Sequence, residues 1–134
     1  MPNLQDNDVL SRFAFDRNHV RADGTARPAL LKPKMGQALS VFQTTEITHS
    51  TICDHGHHYA DNPVIGRVHF GYVTLSCQDV RAEGLQPYYD NTSPRHVSVP
   101  FNADDPERRL ALAQALASKA SLLQECLPPA TIVL

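Results

Sequence analysis

The chain has 134 residues, 42% of them hydrophobic, enough for one domain (1–134) with a single modest core and too few for a second. A formal net charge of −2 argues against a generic nucleic-acid binder, which needs a clear basic excess to neutralise phosphates. No eighteen apolar residues run together and the start, MPNLQDNDVLSRF, has no basic segment leading into an apolar one, so neither a membrane span nor a signal peptide is expected.

Residues 1–36 hold six Lys/Arg against four Asp, and the remainder six against ten acids; this mild asymmetry reads as a solvated face. Cys53, Cys77 and Cys126 are odd in number, widely spaced and free of any C-x-x-C. They predict neither a disulfide framework nor a zinc ribbon, and a reducing cytoplasm is the simplest setting.

In chain order, residues 1–10 read as a polar, frayed lead-in and RFAF (12–15) as a short strand, followed by a turn at Asp23-Gly24. Two prolines make residues 28–37 a surface loop. ALSVFQ (38–43) is a buried strand, after which Thr44 or Thr45 caps a helix running from Glu46 to a stop near Gly56. HHYADNPVIG (57–66) is an exposed loop, and RVHFGYVTL (67–75) alternates as a strand interrupted by Gly71, where another backbone or a ligand comes close.

Ser76 and Gly84 bracket one or two helical turns, LQPYYDNTSP gives a short strand and turn, and HVSVPF (96–101) is a strand that ends, or lies at an edge, at Pro100. DDPERRLALAQALASKASLLQ combines an Asp cap, Pro106 in the first turn and Glu107 at the positive end of the dipole. Its stripe of Leu110, Ala113, Leu116, Ala117, Ala120 and Leu123 is expected to pack across the sheet. The apolar end of the chain, in a tail over 125–134, would dock as an edge strand or join a neighbouring subunit.

Two clusters carry candidate chemistry. His49, Cys53 and His57 recur at i, i+4 and i+8, so a continuous helix would stack three possible zinc donors on one face. Gly56 argues against that continuity, and an exposed histidine-rich helix end is the plainer reading, with no metal assigned. The second cluster is Arg67, His69, Arg95 and His96 at strand ends that could be neighbours. Arginines fork onto phosphate or carboxylate, and a histidine pair can move a proton near neutral pH. His69 and His96 are therefore the candidate catalytic residues and Arg67, Gly71 and Arg95 the candidate ligand-binding ones. The plainer reading pairs Arg95 with an acid and leaves His96 capping a strand.

The ordered pattern SRFAF, LSVF, HFG, GL and PRHVSV, closed by an Ala-rich helix, resembles a family of small bacterial proteins of unassigned function across residues 11–123. The resemblance implies a shared domain and draws attention to His69, Gly71, Arg95 and His96. VHFGYVTLSCQDVRAEGLQP followed by RHVSV is more faintly similar to RNA 2′-phosphotransferases and the related ADP-ribosyltransferase fold. That similarity implies NAD handling by the first stretch and phosphate binding by arginines and a histidine; here Phe70 is inserted and Tyr72 stands where Thr is expected. HVSV and HSTI (49–52) also resemble the short motif of two-histidine phosphodiesterases, in which the histidines act as acid and base. No P-loop, dinucleotide-binding or nucleophile-elbow motif occurs.

The expected fold is α+β, a small mainly antiparallel sheet packed against a C-terminal helix. The expected function is a cytoplasmic protein binding an anionic, phosphate-bearing ligand, a nucleotide or nucleic-acid end, at the Arg/His cluster, with no cofactor specified. The alternative is a non-catalytic adaptor or subunit that meets a protein partner, or a second copy of itself, through surface loops and the apolar tail.

Overall fold

In the computed structural model, which describes residues 3–129, six strands form one antiparallel sheet. They are β1 Val9–Ala14, β2 Leu39–Gln43, β3 Gly71–Ser76, β4 Tyr88–Tyr89, β5 His96–Val99 and β6 Gln124–Glu125, in the spatial order β4-β5-β2-β1-β3-β6. Three α-helices accompany them: α1 His49–Tyr59, α2 Cys77–Ala82 and α3 Pro106–Lys119. The protein is thus of the α+β class, and no described helix is long and apolar enough to cross a membrane.

Side chains alternate across a strand, so register decides which of them share a face. Leu10 pairs with Leu75 and Val41 with Val97, which sends Leu10, Val41, Val73, Leu75, Val97 and Val99 to one side. There they form the main core with Leu30, Leu31, Val80, Ala113 and Leu116. The intervening residues Phe13, Phe42 and Tyr72 face the other way and pack with Ile52 and Cys53 of α1. The sheet therefore carries helices on both faces, where the sequence reading backed it with the C-terminal helix.

Asp105 caps α3 by accepting from the Glu107 amide, as its sequence predicts. Its inward stripe is shifted, however: Leu110 is 40% exposed, and Arg109 is buried, donating to the carbonyls of Pro33 and Lys34. The long Arg109 side chain ties the proline loop to the helix, a role that hydrophobic periodicity does not register.

Several boundaries also move. Residues 3–10 are no frayed lead-in: Leu4 is buried, and β1 already begins at Val9, whose backbone N–H donates to Thr45. With Thr45 so engaged and Glu46 in left-handed backbone, α1 starts later, capped by Thr48, whose hydroxyl accepts from the Thr51 amide. It runs through Gly56 to Tyr59. Gly56 is no stop signal; it is the close-packing point of the helix, since a Cβ there would lie 2.6 Å from His69 Nε2 and overlap the Phe13 ring. Strand β3 begins only at Gly71, because Arg67 turns back onto Asn62 in a short bridge.

The expected tail is likewise partly built into the fold. Gln124 and Glu125 pair with β3, and Cys126 forms a disulfide with Cys53 of α1. The pairing corrects the expectation that no disulfide framework is present; the separation of 73 positions between the two cysteines hid it, since only the sheet brings β6 under α1. Cys77 is free and buried, and burial pushes its thiol up to about 11, so it is unreactive near neutral pH. Residues 130–134, the apolar end proposed for docking, lie outside the described residues.

Candidate functional site

Arg12, on β1, reaches past the edge of the main core, its Nε donating to the Leu30 carbonyl and its Nη1 to the Ser40 carbonyl, both at 3.0 Å. Arg67 lies across the Phe15 ring, with its guanidinium carbon 3.9 Å from the ring centroid. Both line a cleft of about 370 Å³ floored by Phe13, Phe15 and Phe42 and edged by Ser40, Tyr59, Ser93 and His96. Among the described residues, no carboxylate lines this cleft. Burial and the neighbouring Arg67 pull the Arg12 guanidinium down to about 10, so it stays charged at neutral pH and favours an anion beside it.

His96 opens β5 on the same face as Phe42, whose ring it meets edge-on at 5.2 Å. Its Nδ1 lies 2.6 Å from Asp90 Oδ2. Asp90 in turn accepts from the Ser98 hydroxyl and from the backbone N–H and hydroxyl of Thr92. Partial burial works to raise the Asp90 carboxyl, but Ser98, Thr92 and His96 outweigh it and hold the group well below the usual carboxylate range. An ionised Asp90 keeps the proton of a neutral His96 on Nδ1, so Nε2 is the ring nitrogen able to take or return a proton at the cleft.

The four clustered residues expected from sequence are only partly brought together. Arg67 and His96 share the cleft. Arg95 does not: it sits in left-handed backbone just before β5, and its Nη1 donates to Gln43 Oε1 at 2.8 Å beside a small separate cavity lined by His55 and Ile47. His69 is 1% exposed and stacked beneath the cleft floor, its ring 4.7 Å from Phe13, so it cannot touch a cleft ligand as the strand alternation implied. At Gly71 it is another backbone that comes close: the space a Cβ would need is filled by the Gln124 carbonyl of β6. Arg12 and Asp90 escaped sequence reasoning, because Arg12 is separated from Arg67 by 55 positions and Asp90 sits in a turn, DNTSP, that carries no chemical signal of its own.

Among the described residues, two groups have donor atoms close enough for a metal ion: His49, Cys53 and Cys126, and His57, Asp61 and His69. The stacking of His49, Cys53 and His57 that a continuous α1 would produce is real, but its chemistry is spent otherwise. Cys53 Sγ is bonded to Cys126 and lies 3.6 Å from His49 Nε2. His57 turns instead to Asp61, with Nδ1 2.5 Å from Oδ2. Burial disfavours the charged form of His57, but Asp61 and the Leu127 carbonyl outweigh it and raise its pKa. For His69 burial dominates, lowering its pKa against the Cys53 carbonyl.

A larger cleft of about 480 Å³ beside β4 holds a single arginine, Arg81, already paired with Asp6 at 2.6 Å. Comparison of the chain with protein-family models, with curated proteins and with solved structures finds no match in any of the three.

Proposed function

We propose that the cleft between Arg12, Arg67 and His96 binds a small anionic, phosphate-bearing ligand, a nucleotide or a nucleic-acid end, with His96 Nε2 placed to act as acid or base on it. The observation that carries this reading is the convergence of two unneutralised arginines on a concave site that also presents an Asp-oriented histidine. Arg67 and Arg12 would fork onto the phosphate oxygens, and the aromatic floor suits a base or sugar face. Arg95, Gly71 and His69 have no part in contacting the ligand; His69 supports the floor through Phe13.

The test is calorimetric titration with mononucleotides and short RNA ends against wild type, Arg67→Ala and His96→Ala. The reading expects saturable binding lost in Arg67→Ala, and turnover, where present, lost in His96→Ala with binding retained. Equal heats for wild type and Arg67→Ala would refute it. The adaptor reading draws on a different feature, the exposure of Val64 at 93% and Ile65 at 70% in the loop after α1. A cytoplasmic setting would require Cys53–Cys126 to be a regulated bond, since permanent disulfides belong to oxidising compartments; thiol counting on protein trapped from cells decides between the two.

A further inference from the structure

His57, Asp61 and His69 each commit one polar atom to the surrounding protein. His57 Nε2–H donates to the Leu127 carbonyl at 2.8 Å, His69 Nε2–H donates to the Cys53 carbonyl at 3.2 Å, and Asp61 Oδ1 accepts the His69 backbone N–H at 2.9 Å. Of their second atoms, His57 Nδ1 and Asp61 Oδ2 are hydrogen-bonded to each other at 2.5 Å, and His69 Nδ1 is buried with no hydrogen-bond partner among the described residues. With Nε2 carrying the proton of a neutral His69, that Nδ1 offers a lone pair to no described residue. A buried nitrogen of this kind, on a residue 1% exposed, is a donor atom that an ion or a water would satisfy.

We propose that His57, Asp61 and His69 bind one divalent first-row transition-metal ion, with His57 Nδ1, Asp61 Oδ2 and His69 Nδ1 as ligands and further positions left open. One donor atom from each residue already lies within 4.8 Å of the other two. Metal-bound imidazoles regularly give their second N–H to a carbonyl, which fixes the tautomer and the ring orientation, and both histidines do so here. Two imidazoles and a carboxylate without a thiolate suit Zn²⁺, Fe²⁺ or Co²⁺, and three protein ligands leave room for water or a substrate atom. On binding, the Nδ1–H proton of His57 leaves to solvent, and its hydrogen bond to Asp61 is replaced by one nitrogen–metal and one oxygen–metal bond. The two atoms move apart to about 3 Å, as bonds of about 2.0–2.1 Å to a common ion require. The disulfide-linked trio does not compete, because its two sulfurs are bonded to each other.

Chelator-treated protein with its disulfide intact is titrated with Co²⁺ alone, followed by visible absorption, and then with Zn²⁺ by calorimetry in two buffers of different ionisation heat. The expected result is one ion per chain with net proton release. Asp61→Asn, which keeps an oxygen for the His69 amide, and His57→Gln should each weaken binding by about 100-fold or more. His49→Ala, Arg67→Ala and His96→Ala leave all three ligands in place and should bind metal as the wild type does. No saturable site, or loss in His49→Ala with retention in Asp61→Asn and His57→Gln, overturns the proposal. Since the cleft variants and the metal variants are disjoint, failure of the phosphate reading and failure of this one are told apart.

Discussion

On the α3 side of the sheet, Leu10, Val41, Val73, Val97 and Leu116 fill the space with aliphatic side chains, none more than 2% exposed. On the α1 side, Phe13, Phe42 and Tyr72 share theirs with His49, His55, His69 and His96. Apart from buried Arg109, which donates to the Pro33 and Lys34 carbonyls, the first face is packed by apolar atoms, so its energetics are chiefly those of burial. The second has ring nitrogens to satisfy, and it satisfies them through Tyr72, the Cys53 carbonyl and Asp90 while leaving Nδ1 of His69 and Nε2 of His55 without partners. The two faces thus divide by the chemistry of their side chains: one is packed chiefly with aliphatic groups, the other with aromatic and imidazole rings.

Variants on the two faces should therefore separate. Leu116→Ala, at a fully buried site on the α3 side, should cost about 2–5 kcal/mol in urea unfolding while leaving metal and nucleotide binding intact. Coupled loss of both binding activities at a stability still sufficient for folding would break the division. Replacing Cys53 and Cys126 together by Ala opens a bridge spanning 73 residues and should cost about 2–4 kcal/mol, comparing oxidised wild type with the variant. It should also weaken metal binding, because the Leu127 carbonyl that orients His57 is anchored one residue beyond the bridge. Gly56→Ala forces a methyl against the Phe13 and His69 rings and should cost about 1–3 kcal/mol, with the metal site disturbed more than that figure alone suggests.

The same division explains what could be read from the amino acids. Alternation in LSVF and HVSV placed β2 and β5, and the Asp cap with Pro106 placed α3, since local patterning and short-range capping carry those elements. Gly56 defeated the reading of α1 because its meaning is tertiary: glycine marks a helix end when the chain must turn, and here it marks where His69, just before β3, packs so close that a Cβ would lie 2.6 Å from its Nε2. The Cys53–Cys126 bond and the Arg12–Arg67 pairing were invisible for a similar reason, being products of which strands neighbour which. Arg95 and His96 show the limit most clearly. They are adjacent in the chain, yet Arg95 bonds Gln43 and His96 bonds Asp90, and the change from left-handed backbone to extended strand between them sends the two side chains to different surroundings.

The smallest expected effect concerns Asp90, and its direction follows from charge. Its carboxyl is held below the ordinary range: burial opposes the ionised form, but the donors from Ser98, Thr92 and His96 more than offset it. A carboxylate whose pKa is depressed on folding stabilises the native state at pH values above its unfolded value of about 3.9, and that contribution disappears as pH falls toward the folded value. Asp90→Asn should thus be less stable than wild type at pH 7, and the difference should shrink as pH is lowered from about 5 toward 2 in a series of urea melts. A difference that stayed constant across that series would mean that the amide loses packing or hydrogen-bond geometry rather than charge, and Asp90 would then be a turn residue with no electrostatic hold on His96. A difference that shrinks, together with loss of any pH-dependent turnover in Asp90→Asn, ties the ionised carboxylate to the tautomer of His96 and so to the proton at the mouth of the cleft.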